Sequence, residues 1–377
     1  MKVADRARET PPSGIRKFFE LAEEADDVIS LGVGEPDFSA PWAAREAAIH
    51  ALERGRTSYT ANRGRADLRR GIADHVTRYD LDYDPESEIL VTAGASEAVD
   101  LAMRALVDPG DTVAVPQPSY ISYGPAATFA GADVLPVPTR AADAFELTDR
   151  ALREAGAGEA DALIFCYPNN PTGAVMDADA LAPVAEFARE HDLTVIADEI
   201  YAALTYGGEH DSIATLPGMR ERTVVIGGFS KAYAMTGLRL GYALAPPEAI
   251  EAMNRIHQYT MLSAPTTAQF AGLEAIRSCD DAVAEMRDAY DRRRRYVLSR
   301  FREMGLDCFE AEGAFYVFPE CPGDDEAFAE DLLTEEGVAV VPGSVFGEGG
   351  EGHLRVSYAT GMDELREATA RIERFLD

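Results

Sequence analysis

Of the 35 basic residues in this chain, three are lysines: Lys2, Lys17 and Lys231. Lys231 stands alone after the first twenty residues, in the segment GFSKAYAMTGLRLGY. Arginine stays protonated at any workable pH, whereas a lysine can shed its proton and attack a carbonyl carbon. A sequence that uses Arg almost everywhere and keeps one late Lys points to amine chemistry at residue 231. Eight residues on, Arg239 carries a planar fork suited to a phosphate. With so few lysines in the chain, coincidence is the weaker account of that pair.

Four other segments hold polar residues with a chemical use. In VTAGASEA an apolar run ends at Ala93 and a helix begins near Ser96. The N–H groups of Ala95 and Ser96 would then face outward as an anion site, or simply form a helix cap. YPNNPTG (167–173) projects Asn170 from a turn held by two prolines, unless it is a loop of turn formers. ADEIY sets Asp198 at the end of an apolar run, where a carboxylate needs a partner. Tyr201 follows it, and a helix cap is the alternative. HLRVSYA puts Arg355 inside an apolar strand, where it is costly unless it meets an anion or an interdomain ion pair. A nucleophilic amine, a phosphate cradle, a carboxylate, two hydroxyl or amide donors and a second arginine fit pyridoxal phosphate. Its reactive carbon condenses with a lysine, and its ring nitrogen pairs with a carboxylate.

These residues need a frame that brings them together. Apolar runs of strand length fall at 89–93, 112–116, 133–137, 162–167, 194–201, 223–229 and 241–246. Several are separated by helical patterns such as ASEAVDLAMRAL and ADALAPVAEFAREH. That alternation predicts an α/β fold with a mixed, mostly parallel seven-stranded sheet between helices. The polar signals then lie at or just beyond strand ends, where open α/β sheets bind ligands. After about residue 247 the pattern shifts to long helices and to short strands in GAFYVFPE, VAVVPG and HLRVSYA. This predicts a smaller α+β domain. The expected division is 41–280 for the large domain, with 1–40 and 281–377 in the small one. A short amphipathic helix is expected in RKFFELAEEA, from Arg16.

Composition narrows the function classes. The net charge is −31, a field that repels phosphate backbones and anionic lipids. Nucleic acid and membrane surfaces are therefore not expected partners. No apolar run is long enough to span a bilayer, and a cytoplasmic location is expected. Self-repulsion of this size is best tolerated in strong salt, so a halophilic setting is expected. Four scattered cysteines and six histidines show no zinc or redox spacing, and no metal is expected.

Taken in order, SGIRKFF, SLGVGEPDF, SYTANRGRADLRRGIA, PSYISY, NNPTG, DEIY, FSKAYAMTGLRLGY and LRVSYAT resemble the class I/II aminotransferases of PLP fold type I. The likeness is to the branch of prokaryotic aspartate and aromatic amino acid aminotransferases, and it covers essentially the whole chain. The resemblance implies that Lys231 holds the cofactor as a Schiff base and moves a proton during amino transfer. It implies that Asp198 keeps the pyridine nitrogen protonated, and that Asn170 and Tyr201 bond the phenolic oxygen. Tyr120 would stack on the ring. Ala95, Ser96, Ser230 and Arg239 would hold the phosphate. Tyr59 would reach the phosphate of a neighbouring subunit, which implies a homodimer with shared sites. Arg355 would grip the substrate α-carboxylate, helped by Asn170 and the backbone of Gly34.

Two positions depart from the family pattern. Many relatives have Ser where Gly228 stands, and Tyr167 replaces the Asn that opens the NPxNPTG motif. Some aspartate-specific relatives carry Lys at the position of Ser96. The implied reaction is ping-pong amino transfer from an L-amino acid (aspartate, aromatic or similar) to 2-oxoglutarate. A PLP-dependent β-lyase or decarboxylase on the same scaffold is the alternative. A ligand-sensing module is disfavoured because no separate DNA-binding region is present. A Rossmann dehydrogenase is disfavoured because no GxGxxG sits at a strand-to-helix turn.

Overall fold

The computed structural model describes residues 1–15 and 27–377. The helix expected from Arg16 lies outside the described residues.

All seven apolar runs form strands of one sheet. They are β2 (Ile89–Thr92), β3 (Thr112–Gln117), β4 (Asp133–Pro138), β5 (Ala162–Cys166), β6 (Thr194–Asp198), β7 (Thr223–Gly228) and β8 (Gly241–Leu244). The spatial order is β2-β8-β7-β6-β5-β3-β4. β8 runs antiparallel to both its neighbours, and the other pairings are parallel. Along β5, Ile164 and Cys166 join one apolar cluster while Leu163 and Phe165 join another. Both faces are thus buried, which is why the runs read as continuous and not alternating. The helices Ala95–Leu106 and Tyr123–Ala130 cover the Ile164 side with Ala98, Leu101, Tyr123 and Ala127. The helix Ala178–Glu190, capped by the Asp177 side chain, covers the other with Leu181 and Val184.

The reversal of β8 matters for function. β2, β3, β5, β6 and β7 all end on one edge of the sheet, and β8 begins there. The segment just before β8 therefore meets the segments just after the other strands.

Short strands complete the chain. β1 (Ile29–Ser30) pairs in parallel with β10 (Val338–Ala339). β9 (Tyr316–Val317), β11 (Val341–Pro342) and β12 (Leu354–Ser357) form an antiparallel sheet in the order β11-β12-β9. The run VAVVPG, expected as one strand, is thus two strands in different sheets. The chain changes sheet at Val340, and because both halves are buried the apolar run hides the break. The helix Asp280–Glu303 buries Tyr290, Val297 and Phe301 in the same cluster as Tyr316. Among the described residues, no helix is long and apolar enough to cross a membrane.

Candidate active site

A cavity of about 740 Å³ opens at the shared strand edge. Of the residues expected to act at a site, Gly34, Ala95, Ser96, Tyr120, Asn170, Asp198, Tyr201, Ser230, Lys231, Arg239 and Arg355 all line it. Tyr59 does not. Its side chain stands 78% exposed, away from the cavity of its own chain.

Asp198 is the last residue of β6 and shares the face of Ile196, beneath the Tyr123–Ala130 helix. Its Oδ1 accepts the Ile200 N–H at 3.2 Å and so closes a turn; no helix starts here, and the helix-cap alternative is not formed. Its Oδ2 accepts the Tyr123 hydroxyl at 2.8 Å. Burial pushes this carboxyl up to about 6, opposed by the Tyr123 and Ile200 hydrogen bonds. Lys231 follows the end of β7, and its Nζ donates to the Gly34 carbonyl at 2.6 Å. It also lies 5.7 Å from the ring centres of Tyr201 and Phe315. Burial brings its ammonium down to about 8; Glu35 and Asp198 resist the shift, and Arg355 and Arg239 add to it.

Arg239 is held just ahead of β8, with Nη1 donating to the Thr236 carbonyl at 2.8 Å. Its guanidinium lies against Gly94, the residue before the Ala95–Leu106 helix. A Cβ at residue 94 would come within 2.6 Å of Nη2, and the backbone there has φ +85°. Glycine is required on both counts. An arginine fork beside an open helix N-terminus forms an anion cradle.

Arg355, on β12, is 2% exposed. Nη1 donates to the Asn170 side-chain oxygen at 3.1 Å and Nη2 to the Gly32 carbonyl at 2.5 Å, while Nε has no partner. Its guanidinium stacks 4.7 Å from the Tyr316 ring and 5.0 Å from that of Phe346. These partners are all neutral, so among the described residues Arg355 forms no interdomain ion pair. A buried guanidinium held by neutral groups is a favourable place for an anion.

The departures from the family pattern have structural reasons. A Cβ at Gly228 would strike Ile200 Cδ1 at 2.8 Å and crowd the Leu240 carbonyl at 3.2 Å. Tyr167 is buried and its hydroxyl donates to the Phe145 carbonyl at 2.8 Å. It serves the core, not the cavity.

Among the cavity residues not expected from the sequence are two tyrosines. Tyr123 lies three residues after Tyr120 in PSYISY, and Tyr316 lies in GAFYVFPE. PSYISY singles out Tyr120 alone, and GAFYVFPE predicts only a strand. The Tyr316 hydroxyl is 3.1 Å from that of Tyr201. The signal available for Tyr123 was a second phenol in a segment already singled out.

The residues fit pyridoxal phosphate. The cradle at Gly94 and Arg239 suits a phosphate, the Asp198 carboxylate a protonated pyridine, and the Lys231 amine an aldehyde. This geometry defines a pyridoxal-phosphate enzyme of fold type I. The family Aminotransferase class I and II matches residues 26–372. The aspartate aminotransferase of Pyrococcus abyssi is 43% identical over 100% of this chain and 98% of its own. Aromatic-amino-acid aminotransferase 2 of Thermococcus litoralis is 40% identical over the same shares. The structure of Thermus thermophilus aspartate aminotransferase with maleate superposes with a TM-score of 0.94 at 38% identity, covering 99% of each chain. The chain belongs to the class I and II aminotransferases, which use pyridoxal phosphate.

Proposed function

We propose that this aminotransferase moves the amino group of an L-amino acid (aspartate, aromatic or similar) to 2-oxoglutarate in two ping-pong half-reactions. One observation carries the reading: Arg355, a buried guanidinium whose partners among the described residues are neutral, faces the same cavity as Lys231. An amino acid offers a carboxylate for the first and a nitrogen for the chemistry at the second.

When bound, pyridoxal phosphate supplies an aldehyde carbon and an electron-accepting ring, which together acidify the amino acid Cα–H. Lys231 would hold the aldehyde carbon covalently through Nζ and, once displaced by substrate, carry the Cα proton. Asp198 would hold the proton on the ring nitrogen. Tyr201 and Asn170 would bond the phenolic oxygen, and Tyr120 would stack on the ring. Ala95, Ser96, Ser230 and Arg239 would hold the phosphate. Arg355, with Asn170 and the Gly34 backbone, would orient the α-carboxylate. These placements are supported by the meeting of all these residues at one cavity.

The exposed Tyr59 supports a homodimer in which this residue completes the partner's phosphate site. The pairing of β1 with β10 supports a small domain built from 1–40 and 281–377, set against 41–280. Closure of the small domain would exclude water. The charge of −31 supports a cytoplasm rich in salt. The test is an amino-donor screen with 2-oxoglutarate, reading 2-oxo acid and glutamate. Equal amounts of the two are expected. Pyruvate with ammonia, or CO₂ release, in place of glutamate would assign a lyase or decarboxylase instead.

A further inference from the structure

Glu97 and His257 meet behind the turn that faces the cavity. His257 is fully buried on the helix Pro247–Thr260, which packs against the Ala95–Leu106 helix. Its Nδ1 lies 2.7 Å from Glu97 Oε1. The other carboxylate oxygen, Oε2, accepts the backbone N–H of Ala93. With its ring proton on Nδ1, His257 donates to Glu97 Oε1. His257 Nε2 finds no partner. The ring therefore spends its polar capacity on Glu97 alone, among the described residues.

Ala93 opens the turn Ala93–Gly94–Ala95, which lies against Arg239 and leads into the open helix N-terminus. The turn is braced on its other side as well. Thr92 Oγ1 donates to the Gly94 carbonyl at 2.9 Å, and the Glu97 N–H donates to the same carbonyl at 3.2 Å. Each brace other than His257 belongs to residues 92–97. Arg239 and Gly241 pack against the turn from the start of β8, but among the described residues His257 is the side chain from a distant part of the chain that braces it through a hydrogen bond to Glu97. We propose that Glu97 and His257 act as a clamp, a pair of positioning residues that fix the turn receiving the cofactor phosphate. The inference rests on the reading that the phosphate lies at this turn.

The experiment is equilibrium dialysis of the cofactor-free protein against pyridoxal phosphate and, separately, against pyridoxal, which lacks the phosphate. His257→Ala and Glu97→Ala should each weaken pyridoxal phosphate at least tenfold and leave pyridoxal unchanged. The double variant should be no weaker than the worse single, because each removal already opens the clamp. His257→Gln, whose amide can still donate to Glu97, should restore affinity. If His257→Ala fails to fold, Glu97→Ala and His257→Gln carry the same comparison. Equal losses for both ligands, additive losses, or unchanged pyridoxal phosphate binding would overturn the clamp. Wild-type protein that bound pyridoxal as tightly as pyridoxal phosphate would overturn the placement of the phosphate, and the clamp with it.

Discussion

Tyr123 donates a 2.8 Å hydrogen bond to Asp198, and both side chains are buried. The phenol aims the carboxylate and favours its ionised form, against a burial that favours the neutral acid. Asp198 is thereby kept as a charge that the empty fold would rather not hold.

That conflict predicts a pH-dependent gain from removing it. The folded carboxyl sits near 6, above its ordinary 3.8. A group raised in this way gives its full stability below the unfolded value and loses it as pH rises through the folded one. At about 1.4 kcal/mol per pH unit, the ionised group costs the cofactor-free protein up to roughly 3 kcal/mol above that range. Asp198→Asn should therefore abolish amino transfer yet stabilise the cofactor-free protein more at pH 8 than at pH 5. Urea unfolding at the two pH values checks this. A gain equal at both would refute it.

Lys231 gives a second pH dependence. With the ammonium lowered to about 8, roughly a quarter of the side chain is uncharged at pH 7.5, against about 0.1% at its ordinary value. The rate at which cofactor attaches to the cofactor-free protein should rise with pH through a midpoint near 8, read by absorbance. Lys231→Ala should show no attachment and no turnover, and borohydride reduction should label residue 231 in the wild type. A midpoint near 10 would mean that burial does not activate this amine.

Arg355→Lys keeps the charge and removes the fork. The KM for amino acid and oxo acid should both rise, by about 10- to 100-fold, with a smaller fall in kcat. Steady-state kinetics in both directions decides it. An unchanged KM for both substrates would place the carboxylate elsewhere.

Gly94→Ala puts a methyl group where the Arg239 guanidinium lies, on a backbone of positive φ. Cofactor affinity should drop at least tenfold, with a cost of about 1 kcal/mol in the fold. Cofactor titration and thermal melts measure the two effects, and wild-type affinity would show that the cradle is not at this turn.

Raising KCl from about 0.1 to about 1 M shortens the screening length from about 10 to about 3 Å. With −31 charges on the chain, the melting temperature should climb over that range. A flat or falling curve would remove the argument for a salt-adapted protein.

Much of this was legible in the residues themselves. A parallel sheet buried on both faces writes its strands as apolar runs, so ILVTA through GYALAP marked all seven strands. Asp198 and Arg355 stood out because a charge in an apolar run needs a reason, and Lys231 because it is the lone late lysine. What stayed hidden depended on contacts distant in sequence. A tyrosine in an apolar segment gives no sign that its hydroxyl meets a carboxylate 75 residues on, as Tyr123 meets Asp198. Glu97 and His257 lie 160 residues apart with nothing local to join them. The break at Val340 was masked because both halves of VAVVPG are equally apolar.

The grip on Arg355 has a bearing on how the molecule is made. Its Nη2 is anchored by the carbonyl of Gly32, and Ser357, two residues further along β12, donates its N–H to the Leu31 carbonyl. These anchors leave the ribosome more than three hundred residues before the arginine they secure. During synthesis, the early segment must wait beside a half-built sheet for β12 to arrive. The carboxylate-gripping side of the cavity is therefore completed only when the last part of the chain joins the first, after the residues of the cradle at Gly94 and Arg239 have been made.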